Sequence, residues 1–269
     1  MSRVLVTGAA SGLGEALTRA FRQRGDEVLA TDVAYGVAVP RVDRRASSTS
    51  EEMRLDVTSV EDWERALAWV EQHWGGLDVL VNNAGVAGGG RIDVAGIDEW
   101  QWLVEINLLG AVRGCRTFTP LFKRQRSGRT VNVASLAGLV HPAGMASYNA
   151  VKAGVVALTE TLGHELASYG VTAHVVCPSY FRTNLMSSLR GADRALATVV
   201  THLVETSPLT ADQIASAVLD GIEAGHEMIL PDPMARAAYD QKLHDRAAHD
   251  AQLRRQAARL DELGAPDSG

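Results

Sequence analysis

Arg3-Val4-Leu5-Val6-Thr7-Gly8-Ala9-Ala10-Ser11-Gly12-Leu13-Gly14 is the stretch on which the reading of this chain turns. An aliphatic run too short for a helix ends in a threonine, meets three glycines, and passes into a helical pattern over 12–24. Glycines there let a backbone approach a pyrophosphate closely. The start of the following helix then presents unpaired N–H groups and a partial positive charge to the phosphates. The spacing T-G-x-x-x-G-x-G differs from the more general G-x-G-x-x-G fingerprint. Taken alone it is also compatible with a tight turn.

The surrounding pattern supplies the context. Short apolar runs bounded by turn residues recur at 3–7, 27–31, 53–55, 79–82, 130–134, 171–177 and 228–230, each reading as a buried strand. Helical patterns fall between most of them, at 12–24, 60–74, 98–123, 147–169 and 211–224. Alternating strand and helix predicts an α/β fold with a single parallel, doubly wound sheet and helices on both faces. Residues 33–52, with Gly36, Pro40, Arg41, Arg44, Arg45 and a Ser/Thr-rich run, suit an irregular loop or a short helix and receive no firm assignment. Residues 232–269 read as a charged helical tail, and 1–231 as one dinucleotide-binding and catalytic domain.

With 269 residues, 46% of them apolar, the chain can bury one large α/β core. A net charge of −6 and a pI near 5.8 argue against surfaces built for nucleic acid or anionic membrane. The opening residues run straight into the glycine motif, leaving no signal-peptide pattern, and no stretch reaches transmembrane length. Cys115 and Cys177 lack the paired spacing of redox or zinc sites and read as buried thiols, and no metal is expected. These features predict a cytoplasmic protein.

Asp32 ends the second strand, where a carboxylate can accept hydrogen bonds from the adenosine ribose hydroxyls. That favours NAD. The 2′-phosphate of NADP would face this carboxylate unless a cation such as Arg41, Arg44 or Arg45 compensates.

On a helix, Tyr148 and Lys152 are four residues apart and share a face. An ammonium beside a phenol favours the phenolate, which predicts a lowered Tyr148 pKa and a general base near neutral pH. Ser135 can supply a neutral hydrogen bond to a substrate oxygen and hold carbon and cofactor in hydride-transfer geometry.

The set resembles the short-chain dehydrogenase/reductase family over Val4 to about Pro231, with a Rossmann-type fold implied. Gly8, Ser11, Gly12, Leu13 and Gly14 form the cofactor loop. Leu55-Asp56-Val57-Thr58 is similar to the family segment whose aspartate meets the adenine amino group. Asn82-Asn83-Ala84-Gly85 matches the family's N-N-A-G, so Asn83, Ala84 and Gly85 are expected to close on the cofactor. Asn107 matches the active-site asparagine, and the resemblance implies that it holds a water linking Lys152 to solvent. Ser135, Tyr148 and Lys152 complete the catalytic set, with Tyr148 and Lys152 also touching cofactor. Pro178 and Thr183 match cofactor-binding positions after the sixth strand. One departure stands there: many members carry glycine after Pro178, whereas this chain has Ser179, which restricts the turn to angles serine tolerates.

Residues 183–206 correspond to the family's substrate-covering segment. Leu185, Met186, Leu189, Leu203 and Val204, with Leu136, Met145, Tyr180 and Phe181 nearby, suggest an apolar pocket. His141, close to the site in sequence, is a candidate substrate contact or a loop residue. The expected activity is NAD-dependent hydride transfer between cofactor and an apolar secondary alcohol or ketone. A non-catalytic NAD(H)-binding regulator is the alternative, weakened by retention of the full catalytic set. Longer epimerase-type relatives share Y-x-x-x-K but add a C-terminal domain for which this chain has little length. The resemblance also implies a homodimer or homotetramer paired through helices 98–123 and 147–169.

Overall fold

In the computed structural model, which describes residues 1–36 and 50–264, seven parallel strands form one sheet in the order β3-β2-β1-β4-β5-β6-β7. The strands are β1 Arg3–Thr7, β2 Glu27–Asp32, β3 Ser50–Arg54, β4 Val79–Asn82, β5 Gly128–Val133, β6 Val171–Val176 and β7 Met228–Ile229. The order reverses between β1 and β4, whose registers pair Leu5 with Leu29 on one side and Leu80 on the other. A crevice opens beyond the carboxyl ends of the strands at such a reversal, and most candidate site residues stand on the segments that leave that edge.

Alternation along β1 builds the two layers. Val4 and Val6 pack with Leu13, Leu17 and Phe21 of α1 (Gly12–Gln23) and with Ile214, Val218 and Ile222 of α8 (Ala211–Glu223). Leu5 points the other way, into a cluster with Trp63 and Val70 of α2 (Val60–Trp74) and Phe118 and Phe122 of α4 (Gly110–Gln125). Each such fully buried side chain contributes roughly 1.5–3 kcal/mol, so both faces hold the sheet. Cys115 and Cys177 are buried free thiols.

The structure departs from the expected elements in three places. The edge strand β3 begins three residues earlier than its apolar core suggests, because Glu51 and Glu52 pair with Leu29 and Ala30 through backbone alone. The long helix expected over 98–123 is interrupted: α3 (Ile97–Leu103) passes into a π-helical turn, Val104–Leu109, before α4 begins. Such turns are frequent at functional sites, and this one carries Asn107. The helix after β5 is also preceded by a short α5 (Ala137–Val140), which separates Ser135 from α6 (Ala146–Leu166).

The residues after β7 form two helices, α9 (Pro233–His244) and α10 (Arg246–Gly264), broken at Asp245. They fold back over the carboxyl edge of the sheet, where α10 meets α7 (Arg194–Glu205) and α9 meets α5. Among the described residues no helix is long and apolar enough to cross a membrane.

Candidate active site

A single cavity of about 1550 Å³ runs along the carboxyl edge from Asp32 to α10. Gly8, Ser11, Gly12, Leu13, Asp32, Asp56, Val57, Asn83, Ala84, Gly85, Ser135, Tyr148, Lys152, Pro178 and Thr183 all line it. Gly14 and Asn107, also singled out in the sequence, do not, and their geometry shows why.

Gly14 stands behind the loop. A Cβ there would fall 2.0 Å from the Gly8 carbonyl oxygen and 2.5 Å from Asn83 Nδ2, so only glycine lets α1 pack this closely under the turn. Gly12 has φ of +58°, and a Cβ on it would lie 2.7 Å from Thr183 Oγ1. The two glycines thus keep open a backbone cradle at the start of α1, where a pyrophosphate would meet unpaired N–H groups.

Thr7 and Asn83 join the loops after β1 and β4. The Thr7 hydroxyl accepts the N–H groups of Asn83 and Ala84 at 3.0 Å each, and Asn83 Nδ2 donates to the Thr7 carbonyl at 2.9 Å. Asp32 accepts from Ala10 N–H at 3.1 Å and Ala34 N–H at 2.9 Å, which fixes its carboxylate at the end of β2. Asp56 is held in its turn by Asp62, whose carboxylate accepts the Asp56 N–H at 2.8 Å. Arg41, Arg44 and Arg45 lie outside the described residues.

Asn107 turns inward from the π-helical segment. Its Oδ1 accepts the Val86 N–H at 2.7 Å and its Nδ2 donates to the Val86 carbonyl at 3.0 Å. The side chain therefore clamps the strand of residues that follows Gly85.

Tyr148 and Lys152 project together from α6, with the ammonium 5.7 Å from the phenol ring centroid. Lys152 Nζ donates to the Val133 carbonyl at 3.0 Å, which leaves two of its three N–H donors for other groups. Burial dominates both residues. It pushes the Tyr148 phenol up to about 12, with the Ser135 hydroxyl pulling the other way, and it pushes Lys152 down to about 8. The sequence reading expected a lowered tyrosine. In the folded chain desolvation of the phenolate outweighs the hydrogen bond from Ser135, so the phenol is neutral at physiological pH.

The departure at Ser179 has a structural partner. Asp232 accepts the Ser179 N–H at 3.0 Å and the Ser179 hydroxyl at 2.7 Å, and it also caps α9 by accepting the Ala235 N–H at 2.8 Å. One buried carboxylate thus ties the loop after β6 to the C-terminal helices. Lys242 of α9 donates to the Leu139 carbonyl, and His249 of α10 donates to Val140 at 3.0 Å, so the same helices also grip α5. Asp-Pro at 232–233 is a readable helix start, but nothing local in sequence announces its contact with Ser179.

All nine apolar candidates for the pocket, from Leu136 to Val204, line the cavity. His141 does not. It adopts φ of +54°, and its ring lies 3.2 Å from the Gly138 carbonyl and 3.1 Å from Lys242. Sequence reasoning missed a whole wall: His249, Gln252, Arg255, Gln256 and Arg259 of α10 also face this space.

A doubly wound sheet with a glycine cradle at its reversal point and a buried Tyr-Lys pair opposite defines a dinucleotide-binding oxidoreductase scaffold. Comparison with known proteins narrows this. Residues 2–194 match the family model for short chain dehydrogenases, and the chain belongs to that family. It is 34% identical over 190 residues to the 3-oxoacyl-[acyl-carrier-protein] reductase FabG of Vibrio cholerae, covering 71% of this chain and 78% of the relative. Among solved structures, a short chain dehydrogenase/reductase from Burkholderia phymatum in complex with NAD superposes with a TM-score of 0.83 at 28% identity, covering 92% of this chain and 94% of that one. A short chain dehydrogenase from Burkholderia cenocepacia in complex with NADP gives 0.75 at 26%, covering 94% and 97%.

Proposed function

We propose that this protein is an NAD-dependent oxidoreductase that interconverts a secondary alcohol and its ketone, with Tyr148 as the acid–base group. The observation that carries this reading is the convergence of Ser135, Tyr148 and Lys152 on the same cavity that Asp32 and the glycine cradle line.

The bound nicotinamide supplies the hydride chemistry. Tyr148 takes the alcohol proton in oxidation and returns it to the carbonyl oxygen in reduction. Because burial holds the phenol up to about 12, its ionisation needs positive charge close by. Lys152, still largely protonated near pH 7 with a pKa of about 8, provides one such charge. The oxidised cofactor ring carries a second. Ser135 orients the substrate oxygen. The clamp of Asn107 on Val86 keeps the loop after Gly85 in place.

Asp32 supports NAD over NADP, since its carboxylate already accepts two backbone N–H groups and stands where a 2′-phosphate would approach. Apolar side chains on both sides of Tyr148 support an apolar substrate body. A homo-oligomer paired through α4 and α6 remains part of this proposal, as does a cytoplasmic location. Steady-state oxidation of an apolar secondary-alcohol panel with NAD and with NADP tests the reading. NAD-dependent turnover is expected, and equal or better rates with NADP would contradict the cofactor assignment.

A further inference from the structure

We infer that the substrate carries an anionic terminus, received by Arg255 and Arg259 of α10; the inference rests on the oxidoreductase reading of the site. The two arginines line the cavity one helical turn apart, about 6 Å along the axis. Like charges at this spacing disfavour the helix that bears them unless an anion lies between. The carboxylates of α10 do not serve: Asp250 pairs with Arg246 at 2.8 Å, Asp261 pairs with Arg91 at 3.3 Å, and Glu262 makes no ion pair among the described residues. Among the described residues neither Arg255 nor Arg259 has an ion-pair partner.

Charge along the cavity is segregated. Among the described residues its acidic lining is Asp32 and Asp56, at the end formed by β2 and the loop after β3, and Glu105, which is engaged by Arg113. The opposite end is basic. Leu260, adjacent to Arg259, is buried with Met145, Tyr148 and Leu196, which sets this part of α10 on the substrate side of the tyrosine. The helix is anchored there rather than loosely apposed. Arg91 donates to the Leu260 carbonyl at 3.3 Å, and His249 donates to Val140 at 3.0 Å.

The face α10 offers is also unusual for a covering helix. Only His249 and Leu260 are buried on it; around the cavity it places Leu253 and Leu263 together with Gln252, Gln256 and the exposed Arg255 and Arg259. Guanidinium forks match carboxylate and phosphate oxygens in bidentate geometry. Between that end and Tyr148 the lining is largely apolar, with Met145, Leu196, Val200 and Val204. The arrangement fits a compound with its hydroxyl or keto carbon at Tyr148, an aliphatic body, and a carboxylate or phosphate at α10.

The test compares levulinate and its longer methyl-ketone homologues, each against its own methyl ester, as substrates for NADH-dependent reduction. A parallel arm sets acetoacetyl-coenzyme A, whose negative charge resides on phosphates, against the uncharged thioester S-acetoacetyl-N-acetylcysteamine. At the best chain length the acid should exceed its ester about tenfold in kcat/KM, and Arg255→Gln/Arg259→Gln should bring the ratio close to one. Arg255→Lys/Arg259→Lys should retain much of the preference. Selectivity confined to the thioester, and lost in the glutamine variant, would assign the anion to phosphate rather than carboxylate. Wild-type ratios near one in both arms, or a preference that survives the glutamine variant, would overturn the inference while leaving the oxidoreductase reading intact. Calorimetric titration of the same acids and esters into the NADH-loaded protein separates the two: acid-selective binding without turnover would uphold the anion site and sink the oxidoreductase reading. The absence of both turnover and acid-selective binding would overturn the inference.

Discussion

Asp232→Ala removes the carboxylate that joins the loop after β6 to α9, and its cost can be worked from three contacts. Loss of the cap on Ala235 costs about 1 kcal/mol. Stranding the Ser179 N–H adds about 1 kcal/mol, at the lower end of the range because Ser179 is only partly buried. Losing the hydroxyl contact at 2.7 Å adds roughly 0.5–1.5 kcal/mol. A total of about 3 kcal/mol should appear in urea unfolding as a lower midpoint at unchanged slope. Ser179→Ala alone should cost about 1 kcal/mol, and the double variant should fall short of the sum by about 1 kcal/mol. Additivity within about 0.3 kcal/mol would refute the claim that Asp232 ties the loop through Ser179.

Lys152→Met should stabilise the fold at neutral pH. The lysine's folded pKa of about 8 lies below its ordinary 10.5. Between those values the unfolded chain binds more protons, so the lysine's cost is full below pH 8 and fades as pH rises toward 10.5. After allowing for the lost bond to Val133, the variant should gain about 2 kcal/mol at pH 7 and nothing near pH 10, read by unfolding at both; a gain independent of pH would contradict this. Gly14→Ala should abolish NADH binding, read by nicotinamide fluorescence, because its methyl group would lie 2.0 Å from a backbone oxygen. Retained binding would show that the loop can yield. Asp32→Ala should raise kcat/KM with NADP relative to NAD by at least tenfold, and an unchanged ratio would remove Asp32 from cofactor choice.

What could be read from the residues alone follows a physical pattern. The glycine cradle, Asp32 and the Tyr148–Lys152 pair were legible because each needs a particular residue type at the end of a strand or on one helix face. The seven parallel strands were legible because most are buried on both sides and read as continuous apolar runs. β3 was misjudged at its start because it is an edge strand, pairing only with β2, and Glu51 and Glu52 carry no apolar signal. The π-helical turn around Asn107 leaves no compositional trace, since one extra residue per turn changes which face a side chain meets but not what the residues are. The rise in the Tyr148 pKa was not legible for a different reason. Proximity to Lys152 can be counted from spacing, whereas burial of the phenol depends on segments distant in sequence. The C-terminal helices were visible as helix and invisible as a wall of the cavity, because α10 buries only His249 and Leu260 and its three leucines stand among charged residues.

The most direct test of the central claim is single-turnover hydride transfer by Tyr148→Phe with bound nicotinamide, compared with wild type on an alcohol that wild type oxidises. The account predicts that the variant binds NADH as wild type does and loses at least a hundredfold in the hydride step, in keeping with the loss of a general acid–base group. A variant that transfers hydride at the wild-type rate while binding cofactor normally would show that Tyr148 is a buried structural phenol and that the acid–base group lies elsewhere.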